Sequence, residues 1–108
     1  YKEALNVLNK NINNLKYLDY SSVIAKDIFN ELDFKKLGKF DIIFMDPPYK
    51  EQRLNGLLQK INNANILNVE GIIIIHRHKK EAENFIDNLK VIEIKTYGIS
   101  KVIFGNFI

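Results

Sequence analysis

Apolar residues recur at two different periods along this chain of 108 residues, and the changes of period predict its elements. Leu5, Leu8, Ile12 and Leu15 fall three and four apart, the mark of an amphipathic helix over Lys2 to Leu15. Asn9, Asn11, Asn13 and Asn14 supply its wet side and loosen its end. Tyr17 to Ser21 reads as a polar connection. Ser22 to Lys26 reads as a short strand, and Asp27 is placed to cap a helix reaching Phe34 or Leu37, which Gly38 would end. The run Phe40-Asp41-Ile42-Ile43-Phe44 is apolar on both alternating faces except at Asp41, as in a parallel strand covered on both sides. Leu54, Leu57, Leu58 and Ile61 then form an i, i+3, i+4, i+7 stripe, predicting a helix from about Gln52 to Asn65.

Gly71 precedes Ile72-Ile73-Ile74-Ile75, a strand with no polar face. Ala82, Phe85, Ile86 and Leu89 repeat the helical stripe and predict a helix over Lys79 to Leu89. Val91 to Tyr97 and Lys101 to Phe107 form two further strands, joined across Gly98-Ile99-Ser100 as a hairpin. The predicted order is α-β-α-β-α-β-α-β-β. Strands alternating with helices imply an α/β fold with a mostly parallel sheet, closed by a C-terminal antiparallel hairpin. Residues 1–108 read as one domain, without internal repeat, low-complexity tract or linker.

Composition narrows the setting. Cysteine is absent, which removes disulfide and thiolate chemistry and suits the reducing cytoplasm. No apolar run reaches membrane-spanning length, and no signal-peptide pattern opens the chain. A net charge of +3 permits a polyanionic partner without demanding one. The chain opens at Tyr1 in the middle of a helical pattern, and initiator Met removal requires a small next residue. The expectation is a part of a longer product.

The chemistry concentrates in Met45-Asp46-Pro47-Pro48-Tyr49-Lys50, directly after the third apolar run. Two prolines end a strand, because neither can donate a ladder hydrogen bond and each drives the preceding residue towards extended geometry. Asp46 is thereby held at the strand's carboxyl end, the Pro47 carbonyl is left without a ladder or helix partner, and an aromatic ring follows. A carboxylate, a carbonyl and a flat ring at one strand end suit a planar group bearing an NH2. The bland reading is a strand stop with a surface tyrosine.

Asp46-Pro47-Pro48-Tyr49 after an apolar strand resembles the amino-group motif of S-adenosyl-L-methionine-dependent methyltransferases, whose fold is Rossmann-like. The longer run Lys39 to Lys50 is similar to the bacterial RsmD type, as are Leu67 with Glu70-Gly71-Ile72-Ile73, and Lys95 with Tyr97-Gly98. The resemblance covers nearly all of the chain. It implies transfer of a methyl group from S-adenosyl-L-methionine to N2 of a guanine in small-subunit ribosomal RNA. Asp46 and the Pro47 carbonyl, with Pro48 and Tyr49 completing the catalytic motif, would grip the amine while Tyr49 stacks on the base. Asp27 and the backbone N–H of Ile28 would meet the cofactor's adenine, with Asp46 also near the cofactor. An ordinary helix N-cap is the plainer role for Asp27. The partner implied is ribosomal RNA or a small-subunit assembly particle, with no membrane.

His76-Arg77-His78 invites a metal reading, but two imidazoles with no carboxylate or thiol nearby in sequence make a weak site, and no metal is expected. His76 stands where the resembled enzymes usually have Glu. Lys50, Arg53, Arg77, Lys79 and Lys80 fall at or near strand ends, where an RNA backbone could pass; a solvated rim is the equal alternative.

One family feature has no counterpart. No Gly-rich loop follows an apolar strand in these residues, and the resemblance implies that the first two strands of the sheet precede Tyr1. The family's strand order is third, second, first, fourth, fifth, seventh, sixth. Without the first two, the strand at Phe40 to Met45 has an open edge, through which a closed-up remnant would self-associate. A DNA adenine-N6 methyltransferase is the competing enzyme reading. A protein glutamine methyltransferase fits less well, since that group typically has Asn at the position of Asp46. An inactive remnant acting as a binding or interaction module is the reading from another class.

Overall fold

The computed structural model describes every residue except Tyr1, Glu31, Tyr49 and Glu83. It divides into two compact units, Tyr1–Leu32 and Asp33–Ile108. The first unit carries helix α1, Lys2–Asn14, as its periodic stripe predicts, and a single 3-10 turn at Leu18–Tyr20.

The second unit is built on a four-stranded sheet. Its strands are β1 (Phe40–Met45), β2 (Leu67–His78), β3 (Leu89–Tyr97) and β4 (Ser100–Phe107), and helix α2 (Leu54–Ala64) connects the first two. The spatial order is β1-β2-β4-β3. β1 runs parallel to β2, with Ile42 opposite Ile72 and Met45 opposite Ile75. β2 and β3 each pair antiparallel with β4, Ile75 facing Ile103 and Tyr97 facing Ser100. That arrangement is fourth, fifth, seventh, sixth of the order expected from the motif family. The sheet is mixed, with one parallel pairing and two antiparallel, and not the mostly parallel sheet that the strand-helix alternation predicts.

One face of this sheet holds the core. Met45, Ile75 and Ile103 lie in one row across three strands and are buried, as is Ile73 in the row below. Leu54, Leu57, Leu58 and Ile61, the whole stripe of α2, are buried with them. Asn65 ends α2 with φ +54, a left-handed position that Asn tolerates, and its N–H returns to the Asn62 carbonyl. Gly71 is required by close approach: a Cβ there would stand 2.6 Å from Leu67 Cδ1 and 2.9 Å from the Asn68 carbonyl oxygen.

Several expectations fail, each for a local reason. Ser22 to Lys26 is not a strand, for a strand exists only through pairing, and the described residues of its unit offer no partner. The helix expected after Asp27 is replaced by turns. Asp27 Oδ1 accepts the Phe29 N–H at 2.8 Å and its Oδ2 accepts Asn30 Nδ2 at 3.1 Å, local bonds that compete with helix. Asp33 then caps a separate 3-10 turn, Phe34–Lys36, through the Lys35 N–H. Gly38 does follow as a stop, with φ +86.

The described residues of Lys79 to Leu89 form no helix either. Lys80 N–H binds His78 Nδ1, the Glu81 carbonyl accepts Lys101 Nζ, and Leu89 is already the buried first residue of β3. These local and long-range ties outcompete a short stripe interrupted by Asn84, Asp87 and Asn88. Nor is β1 covered on both sides: Ile42 is 63% exposed and Phe44 61%.

A candidate active site at the strand ends

Because β1 and β2 are parallel, both deliver their carboxyl ends to one rim of the sheet, and β4 begins beside them with Ser100 opposite His78. The pairing of Met45 with Ile75 carries forward one residue to set Asp46 beside His76. His76 Nδ1 lies 2.9 Å from Asp46 Oδ1. An ionised carboxylate only accepts, so Nδ1 carries the proton in this contact. Asp46 and Pro47 share a cleft of about 240 Å³ with His76, His78, Ile99 and Ser100. The stacking role expected of Tyr49 lies outside the described residues.

The residues from Asp46 to Arg53 connect β1 to α2 as a loop, of which Tyr49 is not described. Lys50 takes φ +62, which a lysine adopts only when held. Its N–H donates to Glu81 Oε1 at 3.0 Å, and the Pro48 carbonyl accepts the Glu51 N–H at 3.1 Å. Arg77 lies beneath this loop. Its Nη1 donates to the Pro48 carbonyl at 3.4 Å, its Nη2 to the Glu51 carbonyl at 3.2 Å, and Glu81 Oε2 is 3.7 Å away. Arg77 is the one buried charged residue among those described.

The expected basic residues therefore separate. Lys50, Lys79 and Lys80 are exposed at or beside the rim. Arg53 is exposed, but its guanidinium forms a fork with Glu51, Nη2 to Oε1 at 2.9 Å and Nε to Oε2 at 3.1 Å. Those bonds, with the Arg53 N–H on the same carboxylate, hold the Glu51 carboxyl down at about 2. The Arg77 guanidinium is turned inward on the loop. Beyond the loop a polar cavity of about 510 Å³ opens between Lys50, Gln52, Asn55, Lys80 and Glu81.

Asp27 and Ile28 lie in the first unit, with Ile28 39% exposed. The Asp27 oxygens accept the local hydrogen bonds of Phe29 N–H and Asn30 Nδ2. Among the described residues no group of three or more His, Cys, Asp or Glu is arranged to hold a metal. No helix among the described residues is long and apolar enough to cross a membrane. Glu81 escapes the sequence reading because it sits in the stretch read as helix. Its spacing of four from Arg77 was the available signal.

Comparison with known proteins agrees with this architecture. The family model described as "Conserved hypothetical protein 95" matches residues 1–106. A Bacillus subtilis (strain 168) protein described as "Putative rRNA methyltransferase YlbH" is 30% identical over 103 residues, which are 93% of this chain and 56% of that protein. The chain thus spans about half the length of that relative. A conserved hypothetical protein from Streptococcus pyogenes superposes with a TM-score of 0.81 at 23% identity, over 98% of this chain and 67% of its own. A structure from Haemophilus influenzae described as a "putative methylase" gives 0.75 at 24%, over 99% and 68%. At such identities the two structures speak for the fold. The family match over nearly the whole length places the chain in the Cons_hypoth95 family, the RsmD-like group that its motif resembles.

Proposed function

We propose that the protein carrying this chain is an S-adenosyl-L-methionine-dependent methyltransferase acting on the exocyclic N2 amine of a guanine in small-subunit ribosomal RNA. The observation that carries the proposal is the pair of acceptors at the end of β1. Asp46 stands at the rim with one oxygen bonded to His76, and the Pro47 carbonyl follows in the same cleft. The relative described as a "Putative rRNA methyltransferase" supports ribosomal RNA as the substrate class.

An exocyclic amine is a poor nucleophile because its lone pair is delocalised into the ring. Asp46 and the Pro47 carbonyl accept its two N–H bonds, favour a pyramidal nitrogen and aim the lone pair outward from the rim. His76 holds Asp46 Oδ1 and leaves Oδ2 for the amine. When bound, S-adenosyl-L-methionine supplies an electrophilic methyl group on its sulfonium. Asp46 and the Pro47 carbonyl are both acceptors, which fits an amine next to a cationic sulfur. Positioning and electrostatics are what these residues contribute. Lys50, Lys79 and Lys80 are placed to take RNA phosphates, which orient a substrate without reading its sequence. A base in structured RNA must leave its stack to reach the cleft.

Deleting the gene and digesting small-subunit RNA to nucleosides tests the reading. One N2-methylguanosine is expected to disappear, to return with the wild-type gene, and to stay absent with Asp46→Ala. Unchanged methylguanosine together with lost N6-methyladenine in DNA would move the activity to DNA. No change in either would leave a binding module.

A further inference from the structure

We propose that Arg77 and Glu81 are positioning residues, a buried latch that sets the backbone of the loop after Asp46-Pro47-Pro48 and thereby the aim of its two acceptors. The inference deepens the methyl-transfer reading above and rests on it. Three backbone groups within four residues of the prolines are taken by this one pair: the Pro48 carbonyl, the Lys50 N–H and the Glu51 carbonyl. No regular element could hold them, because the loop belongs to neither β1 nor α2.

The latch is anchored at both ends. Arg77 sits in β2, with its neighbour His76 paired to Val102 and Arg77 itself to Lys101. Glu81 lies in the connection to β3, where its own carbonyl accepts Lys101 Nζ and its N–H binds the His78 carbonyl. The Arg77 side chain is 4% exposed, so its charge is not offered to solvent or to a polyanion. A guanidinium at that depth needs acceptors, and the Pro48 and Glu51 carbonyls of the loop supply two of them. Lys50 adds the converse argument. Its φ of +62 is unfavourable for a side-chain-bearing residue, and the Glu81 carboxylate is the group that its N–H meets there. The spacing of His76 and Arg77 divides the work: His76 touches the Asp46 side chain, and Arg77 holds the backbone two residues further on.

A residue that merely stabilised the fold would change the melting temperature and leave turnover in the folded protein alone. The complete gene product is therefore compared with Arg77→Lys, Arg77→Met and Glu81→Gln, all assayed for methyl transfer to unmethylated small-subunit RNA well below their melting temperatures. Arg77→Met and Glu81→Gln are expected to lower kcat by about 100-fold, the scale of a displacement of about 1 Å at a reacting centre, with KM for RNA unchanged. Arg77→Lys, which keeps the charge but not the fork, should recover part of that loss. Normal kcat in folded Glu81→Gln, whatever its melting temperature, would overturn the latch; this near-isosteric variant decides the matter if Arg77→Met does not fold. A wild-type protein without methyl transfer would overturn the reading of the site instead. The latch is then read from the Lys50 amide: faster hydrogen exchange in Glu81→Ala upholds it, and unchanged exchange overturns it.

Discussion

Leu58 has no exposed surface and stands in the middle of the α2 stripe, and Ile73, Ile75 and Ile103 of the sheet are as closed to water. Leu58→Ala removes buried methyl groups and leaves a cavity, so denaturant titration should record a loss of about 2–5 kcal/mol. Glu51 is a different kind of residue, held by charge at the surface. Its carboxyl is lowered to about 2 by Arg53, below its value in the unfolded chain near the usual carboxylate range. A depressed folded-state value means that the pair stabilises the fold fully above the unfolded value, and that this contribution is lost as pH falls towards about 2. Carboxyl NMR titration should show a midpoint near 2 for Glu51, and Arg53→Gln, which removes the guanidinium but keeps the backbone N–H, should raise it part of the way to the ordinary range. At this scale the sequence was most legible where a residue's role follows from its covalent neighbours. Asp46 needs only an apolar strand before it and two prolines after it. Glu81 and His76 act through partners 31 and 30 residues away, which spacing along the chain does not disclose.

Among the elements, those whose partners adjoin them in sequence were legible to the residue or nearly so. β1 occupies the expected Phe40–Met45, α2 begins two residues later than expected and ends one earlier, and β3 and β4 meet in the expected hairpin. The hairpin depends on Gly98, whose φ of +57 opens a two-residue turn between Tyr97 and Ser100. Gly98→Ala should cost about 1–2 kcal/mol in thermal or chemical unfolding, the penalty for a left-handed backbone with a Cβ. The elements that failed are those that need something beyond the local pattern. Ser22 to Lys26 has strand composition and no ladder. Lys79 to Leu89 has a helical stripe, yet its first residues are held by His78, Ile99 and Lys101 in other arrangements. Periodicity reports which face would be buried if an element forms; it does not report what competes for the backbone.

For the whole molecule, the mixed sheet explains why the candidate site lies where it does. The parallel β1–β2 pair sends two carboxyl ends to one rim, and the antiparallel β4 returns its first residues to that same rim. One face of the sheet is packed, while Ile42 and Phe44 leave the other open beside the edge strand β1. Such an edge is a template for pairing, so these 108 residues expressed by themselves should self-associate with rising concentration in sedimentation, and a strict monomer would contradict this. The account's central claim is that the acceptors at the end of β1 hold an amine for methylation. Its most direct test is transfer of labelled methyl from S-adenosyl-L-methionine to unmethylated small-subunit RNA by the complete gene product, wild type against Asp46→Ala. Label on a single guanine N2 with wild type, falling at least about 100-fold with a folded Asp46→Ala protein, is the predicted result. Equal transfer by the two proteins would contradict it.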